Sequence, residues 1–89
     1  MARVRTHPGV ILAKEYLEPL EMSATALAAK LDVPANRITD LVRGHRGMTA
    51  DTALRLGRYF KTDPRFWINL QAQYDRTRER LRKESEKKS

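Results

Sequence analysis

Cysteine is absent from the 89 residues, which excludes a disulfide framework and thiolate-held zinc and points to a reducing compartment. Long hydrophobic runs are missing as well: no wholly apolar stretch exceeds four residues, Val10–Ala13 being one such stretch. A membrane helix needs about 20 apolar residues and a signal-peptide core about 7 to 15, so neither is expected and the chain is read as cytoplasmic. No segment alternates with period two and no Asn-Gly or Asp-Gly pair marks a hairpin, so no strand is expected. Catalytic equipment is lacking too. The only histidines, His7 and His45, stand far apart; there is no Gly-rich phosphate loop, no Ser-His-carboxylate set and no close metal-ligand spacing. Neither enzyme activity nor a metal or cofactor is expected. His7 reads as a residue opening a helix, and His45 as a loop residue within reach of a phosphate.

What the chain does have is positive charge. Lys and Arg outnumber Asp and Glu by 18 to 11, a net +7. Residues 75–89 hold seven of the basic and four of the acidic side chains, so the part before them keeps a surplus of +4. That field favours a polyanionic partner.

Prolines, glycines and capping residues divide the apolar pattern into five helices, an all-α fold. His7 and Pro8 open the first, about Gly9 to Glu18, with Pro8 at N1, where its missing N–H costs nothing. Its stripe is Ile11, Leu12, Tyr16 and Leu17, and Pro19 stops it. Ser23 caps the second, Ala24 to Leu31, with Met22 and Leu27 placed as a hydrophobic staple. The third runs from Pro34, again at N1, to Arg43, with Ile38, Leu41 and Val42 inward and Gly44 closing it in the left-handed conformation. Met48 plugs the loop that follows. Thr49 caps the fourth, whose inward positions are Ala53, Leu56, Gly57 and Phe60. Asp63 caps the fifth, with Pro64 at N1 and a stripe of Phe66 or Trp67, then Leu70, Tyr74 and Leu81. The expected organisation is a flexible arm at residues 1–6, one domain at 7–75, and a charged helical extension fraying into a disordered tail at 76–89.

Helices two and three are short and separated by a two-residue link, the pattern of a helix-turn-helix. In that motif the second helix enters the major groove, so its outer face needs small and hydrogen-bonding side chains. Ala35, Asn36, Thr39 and Arg43 meet the demand. Asp40 is either a cytosine reader, a partner for Arg37 or Arg43, or simply solvated. Arg37, Arg43, Arg46, Arg55 and Arg58 lie on or soon after this helix, where phosphates would pass, and are interleaved with core residues. The aromatic stripe Phe66, Trp67, Leu70 and Tyr74 is expected to be core with part of it a homodimer seam, since one helix-turn-helix reads too few base pairs to be specific.

Three stretches, HPGVILAKEYLEPLEMS (7–23), ALAAKLDVPANRITDLVRGHRGMTADTALRLGRYF (26–60) and TDPRFWINLQAQYD (62–75), carry a resemblance over about three quarters of the chain. In their order they resemble the HigA-type, or VapI-like, antitoxins of the repressor-like helix-turn-helix superfamily. The resemblance implies a five-helix fold, a homodimer on a palindromic operator in its own promoter, and neutralisation of a cognate HigB-like toxin that cleaves mRNA. Carried over position by position, it places Pro34, Ala35, Asn36, Thr39, Asp40 and Arg43 toward DNA and Ile38 and Leu41 beneath them. Asp32 stands where the motif usually has Gly, Ala24 where many relatives have Gln, and Val10 where Glu is common. The DNA-binding set expected is thus Ala35, Asn36, Arg37, Thr39, Asp40, Arg43 and Arg46. A free-standing repressor without a toxin partner is the alternative reading. An RNA-binding module is disfavoured because no exposed aromatic platform is evident, and a lipid-binding tail because Leu81 is its sole apolar residue.

Overall fold

The computed structural model describes residues 6–88, and of 85–88 the backbone alone. Residues 1–5 of the expected arm lie outside the described residues. Among those described there are five helices and no strand. Helix α1 begins as Pro8–Ile11 and continues as a π-helical segment, Leu12–Leu17. It is followed by α2 (Ala24–Leu31), α3 (Ala35–Val42), α4 (Ala50–Phe60) and α5 (Pro64–Lys88).

The π segment explains how α1 packs. The Glu18 N–H reaches the Ala13 carbonyl at 2.9 Å and the Met22 N–H reaches Leu17 at 2.9 Å, each five residues back. Widening the turn brings residues five apart toward one face, so Leu12 and Leu17 are both buried while Ile11 and Tyr16 stay at its margin. Pro19 then has no N–H with which to continue the ladder.

The caps follow the local chemistry. Ser23 Oγ accepts the Ala26 N–H at 3.0 Å, Thr49 Oγ1 accepts the Thr52 N–H at 3.3 Å, and Asp63 Oδ1 accepts the Arg65 N–H at 2.9 Å. Gly44 takes φ +78° after α3, as a C′ residue should. The start of α3 differs from the sequence expectation. Pro34 is the N-cap of α3, not its first helical residue: its ψ of 146° is extended, so it closes the turn and leaves Ala35 to begin the helix.

The core is a single cluster drawn from every helix and centred on Leu12, Leu27, Ile38, Leu41, Leu56 and Trp67, all essentially inaccessible. Tyr16 bridges Phe60 and Trp67, its ring 4.8 and 5.1 Å from theirs. Each fully buried side chain of this size contributes about 1.5–3 kcal/mol over exposure. Two glycines let backbone meet backbone. A Cβ on Gly9 would lie 1.9 Å from the Leu41 carbonyl oxygen, so the first turn of α1 sits directly on the end of α3. A Cβ on Gly57 would lie 2.7 Å from the Thr62 oxygen, where the chain folds tightly from α4 into α5.

Candidate nucleic-acid interface

Helices α2 and α3 meet through a turn that needs one left-handed residue. Asp32 supplies it at φ 59°, ψ 47°, and its own N–H and that of Val33 return to the Ala29 and Ala28 carbonyls at 3.2 and 3.0 Å. Asp tolerates this conformation better than most non-glycine residues, which is why the missing Gly of the motif leaves the turn intact. Ile38 and Leu41 hold the inner side of α3 against the core, and the opposite side presents Ala35, Asn36 and Arg43 to solvent with Thr39 half-buried beside them. Exposed polar and buried apolar residues thus alternate on one short helix, as the sequence spacing requires.

The basic residues around α3 divide into two groups. Arg37 pairs with Asp51 of α4, and Arg55 donates to the same Asp51 carboxylate at 3.0 Å and to the Leu31 carbonyl at 2.8 Å. The hydrogen bond from Arg55, the larger effect, and that from Arg37 hold the Asp51 carboxyl below its ordinary range. Arg55, one of the arginines that the sequence sets where phosphates would pass, ties the end of α2 to α4, its guanidinium on a carbonyl left open at the α2 C-terminus. Asp51 stands four residues before Arg55, and that helical spacing is the sequence signal that marks it. In the second group Arg43 and Arg58 are exposed with no ion pair among the described residues, and Arg46 lies 3.8 Å from Asp40. Asp40 therefore pairs with neither Arg37 nor Arg43 but with the loop arginine.

The loop Gly44–Gly47 is held from outside the helix-turn-helix. Gln71 of α5 accepts the Met48 N–H at 2.7 Å and passes a hydrogen bond on to Asp75 at 3.0 Å. Gly47 lies against this glutamine, where a Cβ would sit 3.2 Å from its side-chain amide. His7, 9% exposed, caps α1 by accepting the Gly9 N–H at 2.9 Å. Burial pushes its imidazole below the ordinary histidine range, opposed by the Arg46 backbone and the Asp75 charge. Gln71 lies in a stretch that carries the resemblance, but nothing in the apolar spacing of α5 marks its hold on the loop.

The stripe assigned to the dimer seam divides as well. Trp67 is 0% exposed and its Nε1–H donates to Thr62 at 3.0 Å, so it belongs to the protomer's own core and is withdrawn from the seam. An indole at that position fills the space between α1 and α4, and burial of this area within one chain leaves nothing for a partner. Phe66 is 40% exposed, Leu70 is half-buried, and Tyr74 packs edge-on against His7 with ring centres 4.9 Å apart.

Two short helices joined by a left-handed residue, the second with a buried inner and a polar outer face, define a helix-turn-helix domain. The sequence model described as helix-turn-helix matches residues 14–67. Virulence-associated protein I of Dichelobacter nodosus is 56% identical over 69 residues, covering 78% of this chain and 64% of that protein. The Escherichia coli HTH-type transcriptional regulator YbaQ is 44% identical over 73 residues, covering 82% of this chain and 65% of that one. The chain thus spans slightly less than two thirds of the length of these relatives. Among solved structures, the Pseudomonas aeruginosa antitoxin HigA with the higBA promoter superposes with a TM-score of 0.88 at 43% identity, covering 92% of this chain and 89% of that one. The chain belongs to the helix-turn-helix family, in its HigA/VapI-type branch.

Proposed function

We propose that the chain is the antitoxin of a toxin-antitoxin pair. As a homodimer it binds a palindromic operator in its own promoter and represses it, and it binds and neutralises an mRNA-cleaving toxin. The observation that carries the DNA reading is the exposed face of α3, Ala35, Asn36, Thr39 and Arg43 above buried Ile38 and Leu41, continued by Arg46 in the next loop. The likeness to a HigA antitoxin solved with promoter DNA supports it. In this reading Asn36, Thr39 and Arg43 address base edges, while Arg46 and Arg58 address phosphates. Two copies related by a twofold axis present two such helices to half-sites about 34 Å apart. The seam is drawn from the exposed parts of Phe66, Leu70 and Tyr74.

Binding isotherms on the native promoter and a scrambled duplex, at several salt concentrations, test the assignment. Asn36→Ala and Arg43→Ala should each cost about 1–3 kcal/mol on the promoter and relax base preference, whereas Arg46→Ala should weaken both duplexes alike and lower the salt slope by about one. Unchanged specific affinity in Asn36→Ala and Arg43→Ala would remove α3 as the reader. A free-standing repressor is the second reading, favoured by the likeness to a protein named as a transcriptional regulator. Copurification with the product of an adjacent small reading frame, and rescue of growth from that product, support the antitoxin; their absence supports the repressor.

A further inference from the structure

We propose that His7 is a positioning residue for DNA binding: its neutral ring latches the start of α1 to the loop after α3 and to α5, and taking up a proton opens the latch and weakens operator affinity. The inference rests on the DNA-binding reading of α3 and its following loop.

The hydrogen-bond pattern requires a neutral ring. Nδ1 accepts the Gly9 N–H at 2.9 Å, and a nitrogen that carries a proton cannot accept. The proton of the neutral ring then sits on Nε2, and the ring shares its cleft with Arg46. Both neighbours, Gly9 and Arg46, belong to the framework around the exposed face of α3. Gly9 is the residue whose α-carbon abuts the Leu41 carbonyl at the last turn of α3. Arg46 is the loop arginine beside Asp40. On its third side the ring meets Tyr74, with planes at 82°. The same loop is held from the other direction by Gln71 on the Met48 N–H. His7 and Gln71 therefore flank Gly44–Gly47 from the start of α1 and from α5, and His7 is the titratable member of the pair.

The charged and titratable groups around the ring are Tyr74, Asp75 and Arg78 on α5 and His45 and Arg46 in the loop, which with His7 border a cleft of about 300 Å³. Asp75 favours a charged ring, but it is already engaged by Gln71. The Arg46 backbone also favours a charged ring, whereas Arg78 opposes it and burial opposes it most. Because Nδ1 already accepts the Gly9 N–H, a proton enters there only when that contact opens, and acidification below about pH 6.5 shifts the population toward the opened form. The sign is diagnostic. Protonating an exposed histidine adds positive charge and strengthens binding to a polyanion, whereas protonating His7 weakens it.

Two readouts test this in the full chain. In the DNA-free protein, nuclear magnetic resonance from about pH 8 to about pH 5 follows the His7 ring and the Gly9, Gly47 and Met48 amides. All four should titrate with one midpoint below 6.5. Loop amides that stay still while His7 titrates overturn the latch whatever the protein binds. Promoter affinity is measured over the same range for the native chain, His45→Gln and His7→Asn, since Asn caps a helix without titrating. Native affinity should fall by about tenfold for each pKa unit separating the latched from the released ring. His45→Gln should keep that fall and His7→Asn abolish it. A fall that survives His7→Asn, or a rise in the native protein, overturns the proposal. Absence of promoter binding at every pH refutes the DNA reading and with it the functional part of the inference, and the amide titration alone then decides the latch.

Discussion

Gly9, Asp32 and Trp67 show how much depends on the space around a single residue. Nothing in the sequence distinguishes Gly9 from a glycine in a helix start, yet its hydrogen is what allows α1 to lie on the Leu41 carbonyl. The obstructing atoms are backbone, so Gly9→Ala should cost about 2 kcal/mol or more by overpacking, a drop of roughly 10 °C in melting temperature for a domain this size. Thermal unfolding by circular dichroism checks it, and an unchanged midpoint would show that α1 can shift without loss. Trp67 makes the opposite point. Truncation to Ala should cost about 3–5 kcal/mol, while Phe66→Ala, at a half-open site, should leave the midpoint nearly unchanged. Asp32→Gly should be tolerated, because the left-handed turn suits glycine at least as well.

At the scale of elements, α2, α3 and α4 act as one unit because Arg55 and Arg37 converge on Asp51 and Arg55 continues to the α2 C-terminus. Arg55→Ala should loosen the relation of α2 to α4 and is expected to lower thermal stability more than Arg58→Ala, which has no such partner. Helix α5 is two elements in one. Up to Tyr74 it supplies Trp67, Leu70, Gln71 and Tyr74 to the core and the loop; beyond Arg78 it runs on to Lys88 with exposed charges and only Leu81 half-buried. A charged helix without tertiary packing is marginal. A chain ending after Arg78 should therefore keep its melting temperature within the effect of an ordinary surface change, about 0.5 kcal/mol, while losing helical ellipticity. A large fall in stability would place part of the core in the extension.

For the whole molecule the question is whether one copy suffices. The protomer already buries its tryptophan, and the exposed large apolar side chains among the described residues, Leu20, Leu54, Tyr59 and Phe66, are distributed over two helices and a turn. A homodimer is expected from the symmetry of operator recognition. Sedimentation at micromolar concentration should give a mass near twice 10.3 kDa, and Phe66→Glu should shift it toward one protomer without lowering the unfolding midpoint of the dilute protein. A single species near 10.3 kDa in the native chain, with or without promoter DNA, would remove the dimer.

The caps, the helix-turn-helix and the outward-facing positions of α3 were legible in the sequence because each depends on neighbours within a few residues. Ser23, Thr49 and Asp63 cap by accepting nearby N–H groups, Gly44 supplies a positive φ, and the inward Ile38 and Leu41 alternate with Asn36 and Arg43 at helical spacing. Only the tertiary structure decided which arginines remain free. Arg55 and Arg58 look alike in sequence, and it is the approach of the α2 C-terminus that captures one of them. Burial of the whole Trp67 ring within the protomer, the grip of Gln71 on the loop after α3, and the packing of His7 against Tyr74 likewise depend on residues far apart in the chain. Local hydrogen bonding and apolar periodicity are encoded over a few residues, whereas the pairing of a charged or aromatic side chain depends on what the folded backbone brings within reach of it.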